Sequence, residues 1–175
     1  PGHRSNDLNL LSYSEHDMAV SRELIAVVER GFALPLDGIH GQAHWRRVHA
    51  NGSRLAELNG ADLDTVQLFA YLHDSRRVDD GWDLDHGRRA LTATTWPPGT
   101  RLDLPAESLE RLAFACAFHS DGLTEAHITV QTCWDADRLD LGRIGIQPDP
   151  GRMCTSAARD PAIIRWAVRR SQARR

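Results

Sequence analysis

Histidines and carboxylates are the residues with the greatest chemical capacity here: nine histidines and 24 acidic residues in 175. One stretch concentrates them usefully, Leu68-Phe69-Ala70-Tyr71-Leu72-His73-Asp74. Its apolar run carries the backbone into the interior and delivers an imidazole and a carboxylate side by side. Burying either without a partner is costly. A divalent cation is a partner suited to both, since imidazole nitrogen and carboxylate oxygen ligate borderline and hard ions. The same dipeptide recurs at His16-Asp17, but behind Ser12, Ser14 and Glu15. That context reads as the first turn of a surface helix, so only the second pair is a site candidate.

The elements that would position such a site read as helices. At 175 residues the chain suits one domain with a sizeable core. Residues 1–14 are polar and loosely held, and 15–175 form a single all-α, helical-bundle domain. Apolar residues at Met18, Ala19, Leu24, Ile25, Val27 and Val28 predict an amphipathic helix over 15–30, ended by Gly31. A loop follows at Pro35, Gly38 and Gly41. A second helix spans 42–59, with Val48, Leu55 and Leu58 inward and Gly60 as C-cap. Gly52 inside it costs about 1 kcal/mol relative to alanine, which points to close packing or a bend. Asp62 or Asp64 caps a third helix that buries Val66, Leu68, Phe69 and Leu72 and ends near Asp74. Residues 75–85 form a charged loop. A fourth helix over 86–95 is stopped by Pro97-Pro98-Gly99. A fifth runs from Pro105 and Glu107 to His119, with Leu109, Leu112, Ala113, Cys116 and Ala117 inward. A sixth covers 126–141, although Ile128, Val130 and Thr132 alternate and could be strand. A last helix covers 161–170.

Bulk composition excludes several classes. The net charge of −3 argues against a nucleic-acid partner. No apolar run reaches membrane-spanning length, and none resembles a secretory leader. The three cysteines, Cys116, Cys133 and Cys154, have no paired spacing and read as reduced thiols of a cytoplasmic protein. All 21 cationic side chains are arginine. An anion contact here therefore falls to a planar guanidinium fork.

Six residues stand at or near helix ends in the order His44, His73, Asp74, His86, His119, Asp137. Their order resembles the HD-domain superfamily of metal-dependent phosphohydrolases, whose pattern is one His, then His-Asp, then a distant Asp on a helical bundle. The resemblance extends over about 40–145. His44-Trp45-Arg46-Arg47-Val48 is similar to the family's first histidine segment. Phe69-Ala70-Tyr71-Leu72-His73-Asp74 is similar to its central helix, and Asp135-Ala136-Asp137-Arg138-Leu139-Asp140 to the segment with its last aspartate. The resemblance implies that His44, His73, Asp74 and Asp137 hold one divalent ion. His86 and His119 fit the two further histidines of members that hold a second ion, with Asp74 as the bridge. Manganese, iron, zinc, nickel and magnesium are all compatible with such ligands.

A small-molecule phosphomonoester or phosphodiester, nucleotides included, is the implied substrate. Asp74 would be both ligand and orienter of the attacking water. Arg77 occupies the place of a family lysine three positions after that aspartate. Its guanidinium could stabilise charge on a transferring phosphoryl group, or it could simply answer Asp79 and Asp80 on the surface. Several of these residues have ordinary alternatives. His44 and His86 could be exposed near helix starts, and His119 could serve a helix C-terminus as a cation. Asp135 competes with Asp137; with Asp137 as ligand, Asp135 and Asp140 cap or pair with arginines. His40 and His49 read as surface or supporting residues, and His3 and His127 as surface. Trp45 and Trp82 are expected to pack in the core. The arginines from Arg165 to Arg175 read as complements of the last helix's dipole. Two other functions share the ligand set: a diiron oxygenase of the same superfamily and a non-catalytic metal-binding regulatory module. The sequence leaves the oligomeric state open.

Overall fold

The computed structural model describes residues 20–90 and 102–173. The segment 1–14, His3, His16-Asp17, Met18, Ala19, the stop at Pro97-Pro98-Gly99, Arg174 and Arg175 lie outside the described residues. Among those described the chain is all-helical, without a strand. Its elements are α1 (Arg22–Gly31), α2 (Gln42–Asn59), α3 (Leu63–Leu72), α4 (His86–Arg89), α5 (Ala106–Phe118), α6 (Ile128–Arg138), α7 (Ser156–Arg159) and α8 (Pro161–Gln172). Short 3₁₀ turns lie at Leu141–Ile144 and Pro150–Arg152.

Helix α3 is the central element. Asp62 caps it, accepting from the Thr65 amide at 3.4 Å and the Thr65 hydroxyl at 2.7 Å, and also from Ser108 of α5 at 2.7 Å. Val66, Leu68, Phe69, Ala70 and Leu72 are all buried. A helix apolar on most sides needs neighbours on most sides, and α3 packs against α1, α2, α5 and α6. Gly52 explains how α2 comes close. A Cβ there would collide with Val66 and lie 3.4 Å from the Cβ of Ala136. The close packing expected at this glycine thus occurs against α3 and α6. Gly60 ends α2 with φ of 74°, the left-handed conformation glycine adopts without steric penalty.

Trp45, Trp134, Phe69, Leu68, Leu72 and Leu112 fill the main core. Burial of each apolar side chain of this size contributes about 1.5–3 kcal/mol. A second cluster joins Leu55 and Leu139 to Met153, Ala158, Ile163, Ile164 and Ala167. Through it, α8 braces the end of α6 and the 3₁₀ turn that follows. Asp135 secures the approach to α7, accepting from the amides of Cys154 (2.7 Å) and Thr155 (2.8 Å) and from the Thr155 hydroxyl (2.8 Å).

Several expectations need correction. The first helix begins only after Ser21, whose side chain caps it at the Leu24 amide. Leu58 is 53% exposed and Ala113 is also exposed; α5 buries Ala115 instead. Ile128, Val130 and Thr132 lie in the sixth helix as expected, because His127 caps α6 at the Thr129 amide and the Thr132 hydroxyl bonds back to the Ile128 carbonyl. The sixth helix stops at Arg138 and is followed by the 3₁₀ turn. Helix α4 closes at Arg89, and the expected continuation to Thr95 falls outside the described residues. Trp45 is buried, but Trp82 is 91% exposed on the loop between α3 and α4. No helix is long and apolar enough to cross a membrane among the described residues.

Candidate metal centre

The six candidate side chains come from the ends of five elements, His73 and Asp74 sharing one. His44 lies in the first turn of α2, His73 caps the C-terminus of α3, His86 opens α4, His119 caps the C-terminus of α5, and Asp137 lies in the last turn of α6. The carbonyl ends of α3, α5 and α6 therefore face one region, which biases it toward positive charge. His44, His73, Asp74, His86 and His119 are buried, and the Asp137 side chain is 20% exposed.

Asp74 stands in the middle. Its Oδ2 lies 3.5 Å from Nε2 of His44 and 3.4 Å from Nε2 of His73. Its Oδ1 lies 3.0 Å from Nε2 of His86 and 3.6 Å from Nε2 of His119. Asp137 joins the first half, with Oδ1 at 3.5 Å from His44 Nε2 and 3.9 Å from His73 Nε2. The imidazoles pair across each half: His44 and His73 Nε2 are 3.1 Å apart, and His86 and His119 Nε2 are 2.9 Å apart. Adjacent donors around an octahedral ion with bonds near 2.1 Å are separated by about 3.0 Å. The spacings suit the edges of a coordination shell.

The outer ring nitrogens decide what the inner ones can be. Nδ1 of His73 donates to the Phe69 carbonyl at 3.0 Å, and Nδ1 of His119 to the Cys116 carbonyl at 2.7 Å. Nδ1 of His86 donates to the Asp83 carbonyl, and Nδ1 of His44 to the Asp140 carboxylate at 2.7 Å. With Nδ1 protonated, a neutral imidazole presents only a lone pair at Nε2. Two facing lone pairs at these distances repel unless a cation or proton lies between them. Outer hydrogen bonds of this kind characterise histidines that ligate metals. His44, His73 and Asp137 could together hold an ion, as could His73, Asp74 and His119.

Charge in the pocket follows the same geometry. Burial pushes the Asp74 carboxyl up, but the surrounding imidazoles of His73, His119 and His44 outweigh it and hold the group well below the usual range. Asp137 is likewise pushed up by burial and drawn down, to about 2, mainly by His73 and His44. For His44, burial and Arg143 disfavour the cation, yet the carboxylates of Asp140, Asp74 and Asp137 prevail and raise its pKa. The pocket attracts positive charge.

Arg77 closes one side. Its Nε donates to the Asp79 carbonyl at 2.9 Å and its Nη2 to the Gly81 carbonyl at 3.0 Å. Its Nη1 alone faces the pocket, 3.1 Å from His86 Nε2 and 3.4 Å from Asp74 Oδ1. The guanidinium is thus already bound to the loop on two of its three nitrogens. Asp83 steadies that loop through the Val78 amide at 2.9 Å and Arg89 at 2.5 Å. His40 is buried and bonds Asp80 at 2.8 Å; His49 is half-buried beside Tyr71; His127 is exposed.

Three contributions escaped the sequence reading. Asp140 was expected to cap or to pair with arginines; it pairs with Arg47 at 2.6 Å and also accepts a hydrogen bond from His44 Nδ1–H. Its signal is the one-turn spacing from Asp137. Asp83, three positions before His86, orients that ring with its carbonyl. Gly87 lets α4 reach α5, because a Cβ would collide with the Cys116 carbonyl and lie 3.1 Å from His119 Nδ1. The glycine following His86 was its only sequence mark.

The all-α fold gathers its helix ends around this His/Asp cluster. A solved structure shares the fold: the 1.45 Å crystal structure of a predicted HD superfamily hydrolase from an uncultured Thermotogales bacterium. It is 24% identical to this chain, with 83% of each chain covered and a TM-score of 0.61. No family model and no curated protein matches the chain.

Proposed function

We propose that the chain is a metal-dependent phosphohydrolase acting on a small phosphomonoester or phosphodiester. The observation that supports this best is the position of Asp74, whose two oxygens each face a separate pair of Nε2 lone pairs. His44, His73, Asp74 and Asp137 would hold one divalent ion, and His86, His119 and the shared Asp74 a second. Ions held there would polarise a phosphoryl oxygen and acidify a water for attack on phosphorus.

The protein's own groups do the rest. Asp74, ionised by its surroundings, orients the water through whichever of its lone pairs stays free. Arg77 Nη1 offers one donor to a phosphoryl oxygen, held in place by the Asp79 and Gly81 carbonyls. A donor fixed before the reaction costs little reorganisation as charge develops. The buried imidazoles and the core behind them limit water to the open side at Asp137.

The test combines elemental analysis of the purified protein with a phosphoester panel assayed before and after metal removal. One or two bound ions and metal-dependent hydrolysis are expected, with both lost in Asp74→Ala. Retained metal and full activity in that variant would remove the proposal. Two irons with substrate-dependent oxygen uptake and no hydrolysis would replace it with an oxygenase.

A further inference from the structure

His44 differs from the other three imidazoles of the centre. His73, His86 and His119 donate their Nδ1–H hydrogen bonds to backbone carbonyls. His44 donates its Nδ1–H to a carboxylate, Asp140 Oδ2, at 2.7 Å. Asp140 is 1% exposed. Its Oδ1 accepts from Arg47 Nε at 2.6 Å, its Oδ2 from Arg47 Nη2 at 3.1 Å, and Arg143 Nη1 lies 3.9 Å from Oδ2. The carboxylate is therefore fixed in position. Its amide also donates to the Asp137 carbonyl at 2.9 Å, so the turn that carries Asp137 carries Asp140 too.

We propose that Asp140 is a positioning residue: through the Nδ1–H of His44 it keeps Nε2 aimed at His73, Asp74 and Asp137 and sets the cation affinity of that half of the centre. The inference rests on the metal reading above and extends it to an order of loading. A carboxylate behind a ligating imidazole fixes its tautomer and strengthens it as a donor. Behind the opposite pair the acceptors are the Asp83 and Cys116 carbonyls, and the cationic Nη1 of Arg77 lies 3.1 Å from His86 Nε2. A first divalent ion therefore enters beside His44. A second enters beside His86 and His119 only as Arg77 gives way, and binds more weakly.

The experiment is a calorimetric titration of the metal-stripped full chain with Zn²⁺, comparing wild type with Asp140→Asn. Asparagine keeps the volume and an oxygen acceptor but removes the charge. The expected result is two steps in the wild type, with the tighter one weakened 10–100-fold in Asp140→Asn and the weaker one unchanged within twofold. A purely structural role would instead lower the melting temperature of the metal-free variant and leave zinc affinity unchanged, which would overturn the proposal. A second measurement needs no variant. Long-range ¹H–¹⁵N correlation on the zinc-loaded wild type should show His44 protonated at Nδ1 and metal-bound at Nε2; the reverse would also overturn it. A wild-type chain that binds no zinc removes the metal reading and this inference together. Zinc binding by the wild type with an unaffected Asp140→Asn removes this inference alone.

Discussion

Asp74→Ala tests the centre most sharply, because one side chain serves both halves. Its oxygens lie 3.4–3.5 Å from the His44 and His73 nitrogens and 3.0–3.6 Å from those of His86 and His119. Removing it leaves His44, His73 and Asp137 on one side and a bare imidazole pair on the other. A ligand that binds only the folded chain stabilises it by RT ln(1 + [L]/Kd), about 2.7 kcal/mol at one hundred times Kd. For a chain of 175 residues, each kcal/mol moves the melting temperature by about 2–4 °C. One ion should therefore raise it by about 5–11 °C. The assay is differential scanning calorimetry of chelator-stripped protein with and without saturating Mn²⁺. Wild type should show the full rise, Asp74→Ala less than about 1 °C, and Asp137→Ala an intermediate rise, because the His86 side keeps its donors. An Asp74→Ala chain that responds to Mn²⁺ as the wild type does would refute the bridging role.

Other perturbations separate the parts of the site. Arg77→Gln should retain its metal, by elemental analysis, and lose about 10²–10³-fold in kcat for phosphoester hydrolysis, the scale for one fixed donor to a developing oxyanion. Gly87→Ala should push α4 off the Cys116 carbonyl and lose the weaker zinc step in calorimetry while keeping the tighter one. Overpacking of this kind should also cost about 1–3 kcal/mol in urea unfolding. Asp62→Ala removes the cap of α3 and its bond to Ser108. It should cost about 0.5–2 kcal/mol in the same assay without changing metal stoichiometry.

Much of this architecture was legible in the chain itself. The α2 and α3 boundaries followed from Asp62, Gly60 and the apolar run to Leu72, because caps and periodicity are local properties. The sixth helix forms although Ile128, Val130 and Thr132 alternate as a strand would: the His127 cap and the contact of α6 with α2, α3 and α5 keep them helical. The error arose where local pattern competed with packing. Trp82 has the chemistry of a core residue, but its loop is held by Arg77, Asp83 and Arg89 and leaves the ring in solvent.

Sequence alone determined the inventory of the candidate centre: His44, the His73-Asp74 pair, His86, His119 and Asp137, each near the end of a helix. Only the tertiary structure decided how they share one another. It set Asp74 between two imidazole pairs and turned four Nδ1–H groups outward onto acceptors. Three of those acceptors are backbone carbonyls, which every residue possesses, so no side-chain pattern can announce them. The fourth, Asp140, lies 96 positions from His44. Its one-turn spacing from Asp137 is visible in the chain, but its bond to His44 depends on α2 meeting the end of α6 across the core, a non-local contact.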